Sequence, residues 1–248
     1  MCTLSWFSTP TGYELFFNRD EQRSRTDALA PQLFQENNVY YIMPIDPVGE
    51  GSWISLNNHG ISLCLLNYYQ GEIAPNNALS RGLLVKELAS CDGVNSIQKI
   101  LSNMDLSRFA SFTLLIFHSD DSIKHKSVQG FRWDGKRFTS IAPSSPMLSS
   151  SVDADNVIEH RLSVYKQLTD SGVNRQTLNQ FHQHHHSKLG HRSPCMHRQD
   201  AQTVSFTHII VDNKKNTLRY LPSSPCQTKK YLAYDVPSYS YDNTHSYS

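Results

Sequence analysis

The chain opens with two short β-prone runs on either side of a turn, directly after Met1. The runs are residues 2–7 and 13–17, and the Pro-Thr-Gly sequence at 10–12 between them is typical of a turn. In an antiparallel hairpin the numbers of paired residues have a constant sum, here about 21. The pattern therefore predicts a hairpin in which Cys2 lies opposite Arg19.

The second strand of this hairpin ends in four polar residues, Asn-Arg-Asp-Glu at 18–21. If the turn is centred half a residue away, Asn18 or Asp20 takes the place of Arg19 opposite Cys2. In either register the hairpin brings the polar quartet to the side of Cys2. Two interpretations stay open: a solvated strand end, or a set of charges that tunes the cysteine.

Cys2 becomes a candidate nucleophile if Met1 is removed, which a small second residue normally permits. Its free α-amine, with an ordinary pKa of about 7.7–8.0, would then lie beside a thiol of about 8.5. One residue would supply both nucleophile and base, as in N-terminal nucleophiles. Arg19 would favour the thiolate and an acidic neighbour would position the ammonium. The alternative is that a Met-Cys start has no function.

Composition argues against several classes of protein. Charged residues are 18% of the 248 residues and the net charge is +1, which argues against a nucleic-acid-binding surface. No apolar run approaches the roughly 18 residues of a membrane-spanning helix, and the N-terminus lacks the pattern of a signal peptide. The five scattered cysteines are typical of reduced thiols. We therefore expect a cytoplasmic protein.

A third segment, GSWISLNNHGISLCLLNYYQG at 51–71, predicts another hairpin around Asn-Asn-His-Gly. Together with the Met-Cys start and the quartet Asn-Arg-Asp-Glu, it resembles the NRDE family, also called the Transport and Golgi organisation 2-like family. SRGLLV at 80–85, CMHRQDAQTVSFT at 195–207 and Pro-Cys at 225–226 fit the same family. The resemblance runs from residue 2 to about residue 227.

The N-terminal half is also similar, more distantly, to the conjugated bile acid hydrolases and penicillin V acylases. These are cysteine N-terminal nucleophile hydrolases with a four-layer αββα fold. The resemblance implies that the backbone N–H of Asn67 helps form an oxyanion hole. Together with the residues that the first hairpin brings to Cys2, this gives an expected catalytic group of Cys2, Arg19, Asp20 and Asn67. We expect Cys2 and Asn67 on adjacent strands of one sheet, within reach of one substrate.

The chain departs from the acylases at two places. Their arginine and aspartate at the end of the second strand fall on Asn18 and Glu21 here, one residue away from Arg19 and Asp20. Because adjacent strand residues point to opposite faces, either a bulge restores the geometry or Asn18 and Glu21 take over. The oxyanion-hole asparagine of the acylases falls in Pro-Ser-Ser-Pro at 143–146, where Ser144 offers a shorter donor.

The remaining patterns are consistent with an α+β fold. Apolar residues at helical spacing predict helices at 78–91, 95–109, 153–168 and 174–184. β-prone runs predict strands at 112–117, 128–133, 137–141, 204–211 and 217–221. Strand pairs, then helices, then strand pairs indicate two largely antiparallel sheets, which the resemblance makes a four-layer αββα sandwich. We expect a single domain over 1–235 and a mobile Ser/Tyr-rich tail at 236–248.

Residues 181–198 hold six of the twelve histidines and Cys195. Three interpretations stay open: a helix end followed by a mobile loop, a zinc or copper site, and a substrate lid. The spacing matches no closed structural metal site, and we expect no resident metal and no cofactor. His197 and Arg198 belong either to strand structure or to a substrate-contacting segment. They complete the expected substrate-binding set of Asn18, Glu21, Ser144, His197 and Arg198.

The sequence favours a cysteine amidohydrolase that acts on a small-molecule amide or acyl substrate at a C–N bond other than a peptide bond. Cys2 would attack the acyl carbon, with its own α-amine carrying the proton. The alternative is a non-catalytic binding or trafficking protein for a lipid, haem or acyl ligand. The family resemblance favours this alternative as well, because eukaryotic members are linked to Golgi organisation and to lipid or haem handling. Substrate identity and oligomeric state are not encoded in any pattern found.

Overall fold

Thirteen strands form two antiparallel sheets in the computed structural model, which describes residues 1–118 and 128–236. The strands are β1 (Cys2–Thr9), β2 (Gly12–Gln22), β3 (Leu29–Glu36), β4 (Val39–Ile45), β5 (Ile54–Asn57), β6 (Ser62–Asn67), β7 (Phe112–Phe117), β8 (Val128–Trp133), β9 (Phe138–Ile141), β10 (Met147–Ser149), β11 (Ala201–Val211), β12 (Asn216–Leu221) and β13 (Leu232–Val236). The first sheet has the order β10-β1-β2-β11-β12-β13, and the second runs from β3 to β9 in chain order.

Four α-helices cover the outer faces of the two sheets: α1 (Gly82–Leu88), α2 (Val94–Asn103), α3 (Ala154–Thr169) and α4 (Arg175–Gln183). The apolar faces of α1 and α2 pack on the second sheet, whereas α3 and α4 contact strands of the first sheet. The two sheets share a core between them. The arrangement is the four-layer αββα sandwich, and the expected α+β class with two antiparallel sheets is confirmed.

Burial on both faces explains why β2 shows no alternation of polar and apolar residues. Leu15 and Phe17 of β2 face the core between the sheets, while Phe16 packs beneath the helical layer against Leu178 of α4. A strand covered on both sides needs apolar residues in both registers. Gly12, at the start of β2, has a φ of 155°, and a Cβ there would lie 2.2 Å from the Val211 carbonyl oxygen.

Two of the predicted helices are shorter than their apolar spacing suggested. Helix α1 begins at Gly82 rather than at 78, because the Leu79 N–H donates to the Arg108 carbonyl and holds the preceding segment extended. Helix α2 ends at Asn103, and a separate 3₁₀ turn follows in which the Asp105 side chain accepts from the Ser107 N–H. The other predicted helices and strands are present within a few residues of their expected bounds.

No helix within the described parts of the chain is long and apolar enough to cross a membrane. The expected tail at 236–248 lies outside the described residues except for Val236, which ends β13. The single-domain boundary at 235 stays a prediction.

Candidate active site

Cys2 lies between two neighbouring strands of the first sheet. It pairs with Arg19 on β2 and with Ser149 on β10, so the predicted register of the first hairpin is confirmed. The Cys2 backbone N–H donates to Ser149 Oγ at 3.1 Å. The Cys2 residue is 8% exposed and belongs to the core between the sheets. The hairpin and β10 together therefore hold the N-terminal cysteine at a fixed position.

A cavity of about 610 Å³ opens at Cys2 and is lined by residues of both sheets and of the loops beside them. Two glycines make close backbone approach possible at its wall. A Cβ on Gly51 would lie 2.2 Å from the backbone carbon of Gly82, and the Ser52 N–H donates to the Gly82 carbonyl at 3.0 Å. The Gly-Ser-Trp and Ser-Arg-Gly segments thus meet here, which explains why both contain glycine.

The inward-facing half of the Asn-Arg-Asp-Glu quartet lines this cavity. Arg19 Nη2 lies 3.2 Å from Glu21 Oε2 and 3.6 Å from Asp46 Oδ2, and its guanidinium lies 4.2 Å from the centroid of the Trp53 ring. Arg25 pairs with Asp46 at 2.6 Å. Arg19 is therefore held in one orientation by two carboxylates and an aromatic face.

The Asp20 side chain does not lie beside Cys2, where the expected catalytic group would place it. Its carboxylate accepts from Arg161 Nη2 on α3 at 3.2 Å and from Thr203 Oγ1 at 2.6 Å, and the Asp20 and Arg161 side chains are fully buried. Because successive side chains on a strand alternate, the Asp20 carboxylate lies on the helix side of the sheet, away from the Cys2 side chain. Only its backbone contacts the N-terminus, since the Asp20 N–H donates to the Met1 carbonyl at 2.9 Å.

Asn18 shares the face of Asp20. Its Nδ2 donates to the His182 carbonyl at 2.9 Å and to the Pro194 carbonyl at 2.8 Å, and the residue is fully buried. Asn18 is therefore tied to the segment after α4 rather than to the cavity. The quartet divides by strand alternation, so that Arg19 and Glu21 face the cavity while Asn18 and Asp20 face the helices.

Asn67 lies on β6 of the second sheet, so the expectation that it shares a sheet with Cys2 is wrong. The two residues instead line the same cavity from opposite sheets. The Tyr69 hydroxyl connects Asn67 with Met1, because it lies 2.9 Å from Asn67 Nδ2 and 3.3 Å from the Met1 ammonium nitrogen. The expectation failed because the β3–β4 hairpin begins a second sheet between the two segments.

The backbone of β6 gives the direction of the Asn67 N–H. The Leu65 N–H donates to the Trp53 carbonyl on the β5 side, while the Tyr68 N–H donates to the Ser111 carbonyl on the β7 side. N–H groups of an antiparallel strand alternate in this way. The N–H of Asn67 therefore points to the β5 side, beyond Trp53, where Gly51 lines the cavity.

The Pro-Ser-Ser-Pro segment does not supply a group at Cys2. Ser144 is exposed, and the Ser145 hydroxyl accepts from the Trp6 N–H at 3.0 Å, further along β1. The serine beside the N-terminal cysteine is Ser149, which no motif in the sequence singled out. It comes from a strand of three residues, too short for periodicity to reveal.

His197 and Arg198 do not line the Cys2 cavity. The imidazole of His197 faces a second cavity, in contact with Cys226. Arg198 pairs with Asp200 at 2.7 Å, and its Nη1 lies 4.0 Å from the Met1 sulfur. The structure thus places Arg198 beside the N-terminus and His197 apart from it.

Burial and the nearby charges both act on the Cys2 thiol, and the charges are of both signs: the Asp20 carboxylate adds to the effect of burial on the pKa, and the cations oppose it. Burial raises the pKa of the Cys2 thiol above its ordinary value, whereas the N-terminal ammonium and the Arg19 guanidinium lower it. Arg81, which sequence reasoning noted only as part of a motif, also lines the cavity and donates to the Ser111 carbonyl at 3.0 Å. Within the described residues no carboxylate forms an ion pair with Arg81.

Solved structures with a similar fold include two forms of a bile acid hydrolase and an acid amidase ortholog. Two mutants of the conjugated bile acid hydrolase from Clostridium perfringens match with TM-scores of 0.53 and 0.54 at 11% identity; the alignments cover 95% and 94% of this chain and 92% of each of those chains. The N-acylethanolamine-hydrolyzing acid amidase ortholog of Caenorhabditis elegans matches with a TM-score of 0.56 at 9% identity, over 96% of this chain and 100% of that chain.

At these identities the likeness shows the fold alone, the four-layer αββα sandwich. No curated protein sequence matches the chain. The family model described as Transport and Golgi organisation 2 matches residues 1–221. That match includes the first hairpin, the quartet and the glycine segments that enclose the cavity. The chain therefore belongs to the Transport and Golgi organisation 2 family.

Proposed function

We propose that this protein is a cysteine N-terminal nucleophile amidohydrolase that cleaves a C–N bond other than a peptide bond after removal of Met1. The observation that carries the proposal is the position of Cys2 at the cavity, between Arg19 and Ser149, in a fold shared with amide hydrolases. Removal of Met1 would leave the new α-amine within reach of Ser149 Oγ, which already accepts from that nitrogen.

The reaction would proceed in two steps. The Cys2 sulfur attacks the carbonyl carbon of the amide while the thiol proton passes to the α-amine, forming a C–S bond. The proton then moves to the leaving nitrogen as the C–N bond breaks. Water hydrolyses the resulting thioester, which releases the acid and restores the thiol. The N–H of Asn67 would stabilise the oxyanion in both steps.

The charges of the cavity favour a substrate with an acidic group. Three arginines line it, Arg19, Arg25 and Arg81. Of the three acidic residues that line it, Glu21 and Asp46 pair with the first two arginines, whereas the Asp20 carboxylate pairs with Arg161 of α3. Arg81 is left to bind an anion supplied by the ligand. A carboxylate or similar group on the substrate, placed away from the reacting carbonyl, would satisfy this guanidinium.

An alternative is a binding protein for a lipid, haem or acyl ligand that uses the cavity without turnover. The burial of the Cys2 thiol supports this alternative, since it raises the thiol pKa and disfavours the thiolate. If Met1 is retained, no free α-amine lies beside the sulfur. Processing of Met1 therefore separates the two functions.

The test combines intact mass with thiol labelling by an acyl chloromethyl ketone. Cys226 is the exposed cysteine and the other four are buried, so Cys226→Ser serves as the matched background. We expect loss of Met1, a single label on Cys2 in that background, and hydrolysis of acidic N-acyl amides that Cys2→Ala abolishes. Ser149→Ala should slow the reaction without removing the label. Retained Met1 together with ligand binding but no hydrolysis would establish the binding protein instead.

A further inference from the structure

A cluster of soft ligand atoms lies outside the Cys2 cavity, between the segment after α4 and the loop after β12. Cys195 Sγ, His197 Nε2 and Cys226 Sγ all lie within 4.8 Å of one another. His197 Nε2 is 3.1 Å from Cys226 Sγ and 3.8 Å from Cys195 Sγ. The proposed hydrolase uses none of these three side chains.

The spacing of these atoms matches a metal site. Tetrahedral zinc binds sulfur at about 2.3 Å and nitrogen at about 2.0–2.1 Å, which separates neighbouring ligand atoms by about 3.4–3.8 Å. The distance from His197 Nε2 to Cys195 Sγ, 3.8 Å, lies at the upper end of that range, and the distance to Cys226 Sγ, 3.1 Å, lies just below it. Two thiolates and one imidazole form a donor set that zinc uses in sites with one position open.

The backbone holds the three ligands in place without a metal. The Cys195 N–H donates to the His184 carbonyl, and the His197 N–H donates to the Gly190 carbonyl, both at 3.0 Å. The turn that carries Cys226 is fixed by Ser224, whose hydroxyl donates to the Thr203 carbonyl at 2.6 Å. Two segments far apart in sequence are therefore held with their ligand atoms converging.

The surroundings include an open side and a second imidazole. A cavity of about 640 Å³ is lined by His185, His197, Cys226, Gln183 and Gln227. The His185 ring centroid lies 4.7 Å from that of His197, and His185 Nδ1 is 3.0 Å from the Cys195 carbonyl oxygen. A cation held by the three ligands would have its remaining position directed to this cavity.

We propose that Cys195 Sγ, His197 Nε2 and Cys226 Sγ bind one divalent cation of the zinc class, with the fourth position open to the second cavity. Both thiols give up their protons to solvent when the cation binds, and His197 binds as the neutral imidazole. This site is separate from the Cys2 cavity and does not depend on the proposed amidohydrolase.

The test uses untagged, reduced full-length protein and two probes, Zn²⁺ and Co²⁺. We expect one equivalent of Zn²⁺ by elemental analysis, and a thiolate-to-cobalt charge-transfer band when Co²⁺ is added. Cys226→Ser and His197→Ala should each weaken Zn²⁺ binding in a chelator competition by more than about 100-fold, the upper end of the loss for an outer-shell partner. The matched controls are Cys91→Ser, under the helices of the second sheet, and His191→Ala.

The outcomes are distinct. His185→Ala should keep one-to-one binding, and loss of the metal in that variant would contradict the open fourth position. Binding that survives both Cys226→Ser and His197→Ala would overturn the site. The site would also be overturned if the reduced wild-type protein took up neither cation. The same holds if the protein were isolated with a Cys195–Cys226 disulfide and did not bind Co²⁺ after reduction.

Discussion

Removing Arg161 tests whether the Asp20 half of the quartet is structural. Arg161→Met keeps an unbranched apolar chain on α3 but leaves the Asp20 carboxylate buried with the Thr203 hydroxyl as its remaining side-chain partner. Two unit charges 3.2 Å apart attract by about 5 kcal/mol at an effective dielectric constant near 20. Breaking a buried pair by removing one partner costs about 3–5 kcal/mol. We therefore expect Arg161→Met to lower the free energy of unfolding by about 3–5 kcal/mol.

The assay is thermal and denaturant unfolding followed by circular dichroism. For a chain of this size each kcal/mol lowers the Tm by about 2–4 °C, so Arg161→Met should lower it by about 6–20 °C. The control is Arg192→Met, which removes a partly exposed pair with Asp153 and should change the Tm little, because solvent screens such a pair. The double variant Asp20→Asn/Arg161→Met removes both charges and should recover much of the loss, because no unpaired charge remains.

Two results would refute this reasoning. One is an Arg161→Met variant as stable as Arg192→Met. The other is a double-mutant cycle in which the losses from Asp20→Asn and Arg161→Met simply add, since residues in direct contact should couple.

Further variants test the other contacts. Arg19→Ala should raise the pH at which Cys2 is alkylated, because Arg19 lowers the pKa of that thiol, and Arg19→Lys should restore part of the effect; an unchanged pH profile would contradict this. His208 and Arg175 hold the pKa of Glu14 at about 2 against a burial effect that raises it; the stabilisation is complete above pH 4.5 and lost as the pH falls towards 2, so Glu14→Gln should flatten acid unfolding across that window. Arg81→Met should raise KM for acidic amides and leave neutral ones unchanged. Asn18→Ala should lower the Tm, since it leaves two buried carbonyls without a donor, without shifting the alkylation profile.

The parts of the site that were predictable depend on neighbours in sequence. The pairing of Cys2 with Arg19 follows from a tight hairpin, where the turn sets the register of every pair. The hairpin of β5 and β6, which places Asn67, follows for the same reason. Such contacts can be predicted from the local sequence without knowing the rest of the fold.

The parts that were not predictable depend on contacts between distant segments. Ser149 reaches Cys2 because a strand of three residues returns to the edge of the first sheet. Arg161 reaches Asp20 from a helix whose apolar spacing carries no sign of a buried arginine partner. Cys226 joins Cys195 and His197 through a turn after β12. In each case a contact between distant segments determines the position of a polar group, and local sequence propensity does not predict that position.

The quartet shows how one short motif serves two layers of the fold. A strand buried on both faces must satisfy its polar side chains in two environments, and strand alternation assigns them to the two faces. The register shift beside the quartet lies in β11, between Thr203 and Ser205, opposite Asp20 and Arg19. Asn18 and Asp20 connect the first sheet to the segment after α4 and to α3, while Arg19 and Glu21 face the cavity beside Cys2. The resemblance to the acylases implies that their arginine falls on Asn18, one position earlier and on the face that is structural here. The offset therefore changes which residue can act on the thiol, and Arg19 is the guanidinium of the quartet that faces it.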